Sequence, residues 1–494
     1  MTSTSEPVQA RGVDTRGLTL RQFAAHGVIV NSAFDVGIGG LSLIRGIALA
    51  ALLSPHDYGV WGILVATLGV LARLKLIGIN DKYVQQEEAD QELAFQKAFT
   101  LELAMSLAAM VVVAAAVPVV AVVYGHWFLL APGLVLVTML LADALQSPMW
   151  IYYRRMEFVR QRWQTVVEPS VGLVVAVVLA VLGFGYWALA IGVVAGAFSG
   201  ALVAIRMSPY PLRWRYDRGA LKIYGSFGWP ILVATGSSIV LANGTVFATN
   251  FHLGLPGVGA LAVCANITAF TTRVDDLVAS TIFPAICAIQ DRLDLLRESF
   301  VKTNRLALLW AMPFGIGVAL FAPDLIHFVI GDKWKPATTL LEITGVVAAL
   351  NHIGFNWDDY YRARGTTKPV LVATVVPALI SRIVGVPLLF VIGLKGIGVG
   401  LAVGALANVA VRAVYVRRLF DEFAFAAHAL RALLPTMPAA IIVLAISTAL
   451  GAHKTALEAA GMLVVYGVAV LAGSWLFEGE LLRELIAYAR RRPA

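Results

Sequence analysis

Arg73 follows Gly59 by fourteen residues and Arg273 follows Gly259 by fourteen, so two arginines stand 200 positions apart in matching contexts. Both lie in long apolar stretches. A guanidinium holds an oxyanion through charge-assisted, often bidentate hydrogen bonds, and two of them on opposing walls can grip one from both sides. Arg45 lies in an apolar stretch of its own and is placed to hand the anion onward. The structural alternatives are that Arg73, with Lys75, snorkels to a polar boundary, and that Asp276, one helical turn from Arg273, neutralises it. Asn31 and Asp35 share a helix face at i and i+4 and can bind a proton or a sodium ion; the alternative is a polar contact between helices. Asp143 is a third ion-coupling candidate, with a hydrogen-bonded structural role as its alternative. Glu102, Glu168, Asp275, Glu342, Asp358, Asp359 and Arg382 also interrupt apolar sequence. Charge at a bilayer centre costs roughly 2.5–3.5 kcal/mol on insertion scales, so such residues normally face a bundle interior or a wet cavity.

The elements that position these residues are membrane helices. The chain has 494 residues, 59% hydrophobic and only 14% charged, whereas a soluble domain carries roughly 25% charged residues. The apolar runs are continuous, as in AMSLAAMVVVAAAVPVVAVVYG (104–125), unlike the alternating segments of a membrane barrel. Helices satisfy their own backbone in lipid, so the expected fold class is an all-α polytopic bundle. Fourteen apolar segments emerge: 24–51, 59–80, 98–124, 128–151, 164–183, 185–205, 226–250, 259–287, 304–323, 337–359, 369–392, 396–416, 432–450 and 456–477. Cys264 and Cys287 lie about 35 Å apart along one such helix, so neither a disulfide nor a metal cluster is expected.

Charge orients the spans. RRMEFVRQRW (154–163) alone carries four arginines, and every second loop is similarly basic, both termini included. The intervening loops hold only Lys333, Lys335, Lys395 and Lys454. By the positive-inside rule both termini are cytoplasmic and the span number is even. The net charge of +8 then serves topology, and no nucleic-acid partner is expected. The polar start and the charged first apolar segment argue against a cleavable signal peptide. LLSPHDYGVWGI (52–63) becomes the outer turn between spans one and two, where Pro55 stops the helix and His56 and Asp57 face water.

That turn recurs. LSPHDYGVWG (53–62) overlies LGLPGVGALA (253–262) at offset 200, and IYYRR (151–155) resembles DYYRA (359–363) at offset 208. These echoes predict two homologous six-helix lobes, 1–206 and 207–418, related by an axis along the membrane normal. Residues 419–494 add two further transmembrane helices and a cytoplasmic amphipathic tail. Two parallel lobes with a cleft between them make an alternating-access architecture.

LIRGIALAALLSPHDYGVWGILVA (43–66), MWIYYRRMEF (149–158), LGLPGVGALAVCANI (253–267), VIGDKWKPA (329–337) and YRARGTTKP (361–369) together resemble the oligosaccharide flippases. These are Wzx-type polysaccharide transporters of the MOP exporter superfamily. The resemblance implies movement of an undecaprenyl-diphosphate-linked oligosaccharide from the cytoplasmic to the periplasmic leaflet of a bacterial inner membrane, for cell-surface or exopolysaccharide synthesis. It implies membrane lipids and a polysaccharide polymerase as neighbours. Arg73 and Arg273, with Arg45, would then hold the diphosphate. Relatives often carry an acidic residue in span seven, where this chain has Asn243 and Asn250. The alternative within the superfamily is a cation-coupled multidrug exporter. The arginine pair and the two extra spans favour the anionic lipid. A membrane polymerase or ligase would need a catalytic surface outside the bilayer, and the outer loops are short. With no HEXXH, GXSXG or P-loop pattern in the sequence, the expectation is a non-enzyme with no cofactor beyond a coupling H+ or Na+.

Overall fold

In the computed structural model every described element is helical. The described residues run from 20 to 490, apart from 73–78, 87, 156, 274, 276–285, 287–291, 365, 367, 422 and 452–453. Helical residues 20–33, 70–72, 218–242 and 485–490, with Asp81, Lys82, Gln85, Phe158 and Ala363, are described as backbone only. The helices are α1 Leu20–Leu52, α2 Pro55–Ala72, α3 Ile79–Gln85, α4 Gln91–Tyr124, α5 Leu130–Val137, α6 Met139–Leu145, α7 Met149–Arg154, α8 Phe158–Val181 and α9 Tyr186–Met207. They continue as α10 Arg218–Thr268, α11 Leu293–Asp324, α12 Thr338–Leu350, α13 Trp357–Ala363, α14 Lys368–Ile392, α15 Leu394–Leu419, α16 Phe425–Leu433, α17 Met437–Leu450 and α18 Ala456–Arg490. Among the described residues, ten helical stretches are long and apolar enough to cross a membrane, or eleven if α16 and α17, which meet at 46°, form one broken span.

Helix ends follow local chemistry more than hydrophobicity. The third apolar segment begins at 98, yet α4 begins seven residues earlier because Asp90 caps it, accepting from Leu93 N at 3.0 Å. Gly125, at φ 73°, closes the other end through its N–H to Ala121 and Val122 carbonyls. The 128–151 segment is not one helix but a chain of short ones, α5, α6 and α7. The 337–359 segment likewise breaks into α12, turns from Asn351 to Asn356, and α13. Long helix α10 is interrupted at Gly254 (φ 67°, ψ −168°), inside the LGLPG turn.

The turn after α1 differs from its expected role. Pro55 does not only stop α1; it is the first residue of α2, where proline's fixed φ suits a helix start. Asp57 is half-buried and works as a cap. Its Oδ2 accepts from Ser54 N and Ser54 Oγ at 3.1 and 2.6 Å, and Ser54 Oγ accepts from Asp57 N at 3.2 Å, a capping box. Its Oδ1 accepts from Tyr186 N, the first residue of α9, at 3.0 Å. A methyl group on Gly185 would stand 2.8 Å from that oxygen. Asp57→Ala strips caps from two helices at once. It should lower unfolding stability by about 2 kcal/mol, read as a lower melting temperature in detergent; an unchanged melt would mean that water replaces both caps.

The chain forms two compact units, 1–259 and 260–494. In the first, Val60, Ile63, Leu64, Val117, Leu136 and Leu140 pack α2, α4, α5 and α6 together. In the second, an aromatic cluster of Phe300, Tyr360, Phe420 and Phe423 joins α11, α13 and the end of α15. Both units use the same helix-pair device. Gly192, Gly196 and Gly200 let α9 pack closely on α8: a methyl on Gly196 would lie 2.5 Å from Glu168 O. Gly396, Gly400 and Gly404 do this for α15 on α14, where a methyl on Gly400 would lie 2.5 Å from Ser381 O. Small residues every fourth position permit such close backbone approach in apolar bundles.

Candidate functional site

α1 and α8 lie side by side and run in the same direction. Arg162 Nη1 donates to Asp35 Oδ1 at 2.6 Å. Ten residues further along each helix, Arg45 Nη1 lies 3.4 Å from where a Gly172 methyl would stand, so Gly172 makes room for the guanidinium. Parallel packing is the geometry expected of an odd-numbered first and fifth span. Close packing of α9 on α8 completes the wall. The three helices enclose a cavity of about 350 Å3 lined by Asp35, Ile38, Arg45, Arg162, Thr165, Glu168, Pro169 and Val193.

Four charged side chains meet in this space. Asp35 and Arg162 neutralise one another. Glu168 accepts a hydrogen bond from Gln146 Nε2 at 3.0 Å, and Gln146 also reaches Ala197 O at 3.3 Å. Arg45, Tyr58 and Glu168 are electrostatic neighbours, and Tyr58 itself donates to Gly46 O at 2.9 Å. Among the described residues no carboxylate stands within 4.0 Å of the Arg45 guanidinium. A cation held in an apolar bundle by longer-range attraction alone gains most from a ligand that brings its own negative charge.

The expected site residues divide as follows. Asp35 and Arg45 line this one cavity, 15 Å apart along α1 at about 1.5 Å per residue. Asn31 lies one turn before Asp35 on α1, its side chain outside the described residues. Asp143 is exposed on α6 and is an electrostatic neighbour of Glu168. Arg73 lies outside the described residues. Arg273 follows the 3-10 turn Ala269–Thr272 in the second unit and is half-buried; Asp276 lies outside the described residues.

Two features were missed in the sequence. Arg162 counted only as a topology charge and Glu168 had no role. Their signal was present in spacing: 162, 165 and 169 fall on one helical face. The second feature is a reciprocal contact between the repeated turns. A methyl on Gly59 would stand 2.1 Å from Leu255 O, and one on Gly259 would stand 2.0 Å from Pro55 O. Position 59 rests on 255, and 259 rests on 55, so the contact obeys the 200-residue offset. Only glycine allows backbones to meet this closely. Nearby, Asn250 in α10 donates to Tyr124 O at 3.2 Å, with His126 Nε2 3.4 Å from its Oδ1. That asparagine ties α10 to the end of α4.

The ten or eleven candidate spans among the described residues, several of them broken, make a polytopic helical fold. The same fold appears in the lipid II flippase MurJ in an inward closed conformation, at a TM-score of 0.70 and 13% identity, over 92% of this chain and 100% of that one. An inward-facing multidrug resistance MATE family transporter of the MOP superfamily aligns at 0.64 and 15% identity, over 79% and 98%. Residues 48–339 match the family described as "Polysaccharide biosynthesis protein", and the chain belongs to that family. The succinoglycan biosynthesis transport protein ExoT of Rhizobium meliloti is 22% identical over 493 residues, 92% of this chain and 93% of ExoT. The protein is therefore a multi-pass membrane protein of a polysaccharide biosynthesis family with a MOP-superfamily fold.

Proposed function

We propose that this protein is a flippase that carries an undecaprenyl-diphosphate-linked oligosaccharide repeat unit from the cytoplasmic to the periplasmic leaflet of a bacterial inner membrane. The observation that carries the reading is Arg45: a guanidinium on an intramembrane cavity with no carboxylate within 4.0 Å among the described residues. Family membership supports it, as does the likeness to a succinoglycan transport protein and to the fold of a lipid II flippase. A diphosphate head supplies the charge that Arg45 lacks, and Arg73 and Arg273 are the further anion contacts. Fourteen spans, cytoplasmic termini, lobes 1–206 and 207–418 and an appended pair in 419–494 complete the reading. The reciprocal Gly59 and Gly259 contacts support two related lobes, which is what alternating access requires. The protein acts without catalysis, beside a polysaccharide polymerase that consumes the flipped lipid. Asn31, Asp35 and Asp143 are its first candidates for coupling to H+ or Na+.

Asp35 and Arg162 test the cavity. Asp35→Asn removes the carboxylate charge that faces the Arg162 guanidinium and should destabilise the protein by about 2 kcal/mol, while Asp35→Asn with Arg162→Gln recovers most of it. A double-mutant cycle on detergent melts reads the coupling; additive losses would mean the pair contributes nothing. A cation-coupled drug exporter is the second reading, favoured by Asp35 and Glu168 on one cavity. It makes Glu168→Gln the inactivating change, with Arg45→Ala tolerated. Export of surface polysaccharide by cells carrying each variant separates the two.

A further inference from the structure

The second unit holds a buried polar centre built around the break between α12 and α13. Gly354, at φ 69°, makes the break possible. The backbone groups that the break frees find side-chain partners. Arg412 Nη1 on α15 donates to the carbonyls of Asn351 and Ile353. Asn304 on α11 donates to His352 O at 2.9 Å and accepts from Gly354 N at 3.1 Å. Irregular backbone at membrane depth survives only where such partners exist, and it commonly marks an ion or substrate site.

His352 lies in this break and is 2% exposed. Its Nδ1 is 2.6 Å from Ala348 O. A carbonyl only accepts, so Nδ1 carries a hydrogen. The one remaining position for a proton on the ring is Nε2, which stands 2.9 Å from Asp275 Oδ2, off the line of an ideal hydrogen bond. A bare nitrogen lone pair facing a carboxylate is repulsive, so the pair is stable when it shares one proton. The other carboxylate oxygen, Asp275 Oδ1, has no hydrogen-bond partner among the described residues. Withdrawal of Asp275 would release the proton.

We propose that Asp275 and His352 form a proton-binding site whose filling and emptying is coupled to transport; the coupling rests on the flippase reading, the binding does not. A metal cation fits poorly. The carbonyls of Ala348, His352, Asn351 and Ile353 already accept hydrogen bonds, and Arg412 repels a second positive charge. Among the described residues, the charged and titratable groups around the pair are Arg412 on α15, Asp358 and Asp359 on α13 with their shared partner Arg362, Arg273 two residues before Asp275, and His428 on α16, which meets Asn304 at 2.6 Å. Asp358 and Asp275 both attract Arg412, and Asp358 also pairs with Arg362, so Asp275 is the carboxylate in contact with the imidazole and its proton is held by that contact against the Arg412 charge.

The test uses the full-length chain in lipid nanodiscs, labelled with 15N at histidine and titrated by NMR. His352 is assigned by the signal lost in His352→Gln. Removing the carboxylate in Asp275→Asn should lower the His352 midpoint by at least about one pH unit, a tenfold loss of proton affinity. Asp275→Glu, which keeps the charge one methylene further off, should give a smaller drop and serves if the amide does not fold. An unchanged midpoint in both overturns the site. Coupling is read as polysaccharide export in cells. His352→Gln should reach the membrane normally and export at least tenfold less; export at the wild-type rate from both His352→Gln and Asp275→Asn overturns the coupling. If the wild-type chain exports nothing, the flippase reading fails, and the titration still decides the proton site.

Discussion

Arg45→Ala should abolish polysaccharide export while the protein accumulates in the membrane at its normal level. A charge-assisted contact to a desolvated phosphate is worth about 2–5 kcal/mol when one partner is truncated. At roughly 1.4 kcal/mol per factor of ten, transport should fall between about thirtyfold and several thousandfold. Folding should survive. Glu168 loses only a longer-range attraction and keeps Gln146 as its hydrogen-bond donor. The vacated space opens into an existing cavity and does not create a closed void. Arg45→Lys should recover little, because an ammonium cannot offer the planar fork of donors that a diphosphate accepts. Full export from Arg45→Ala would remove the anion site from this cavity. Pairing Arg73→Ala with Arg273→Ala extends the test, since both arginines are assigned to the same diphosphate.

A side chain at Gly259 should be nearly as damaging, for a different reason. Its methyl would fall 2.0 Å from Pro55 O, inside any allowed contact, and the obstacle is backbone that cannot rotate away. The turns at 53–62 and 253–262 must separate. Overpacking of this kind costs about 1–3 kcal/mol, and here it acts on one conformation, the one in which the turns touch. Gly259→Leu should therefore lose export and hold the turns apart. A cysteine placed by Ser54→Cys should react with a membrane-impermeant thiol reagent several times faster in the Gly259→Leu background. Gly59→Leu should reproduce the effect, since position 59 rests on Leu255 O in the reciprocal contact. Equal labelling rates in all backgrounds would show that the contact does not open during transport.

Much of this architecture was legible in the amino-acid order. Continuous apolar runs and alternating basic loops predicted the helices, and α9, α14 and α15 begin and end within three residues of the expected segments. The breaks within 128–151 and 337–359 were not legible. Both segments are mostly apolar, and their few polar residues, such as Asp143 and Gln146 in the first and Asn351, His352 and Asn356 in the second, do not by themselves stop a helix; what holds the second break open is tertiary: Arg412 and Asn304, from helices distant in sequence, take up the freed carbonyls and N–H. The site was half legible. Asp35 and Arg45 stood out as charges in apolar sequence, but their cavity partners did not. Arg162 sits among four arginines in a basic loop, and nothing local separates the one that turns inward to Asp35 from its neighbours. The glycine ladders at 192, 196, 200 and 396, 400, 404 were present as a pattern. They show at an offset of 204, between the 200 and 208 of the two echoes that were noticed, because α15 reaches its ladder one turn sooner after its capping glycine.

The central claim is that a guanidinium in this membrane-embedded cavity receives the diphosphate of a lipid-linked saccharide. The most direct measurement reconstitutes the purified chain in liposomes with a polyprenyl-diphosphate-linked sugar and follows its arrival in the opposite leaflet by enzymatic capture. Protein-dependent movement that disappears in Arg45→Ala and is not slowed by a cationic drug is the predicted result. No movement of the lipid by the wild-type chain, or equal movement by wild type and Arg45→Ala, would contradict it.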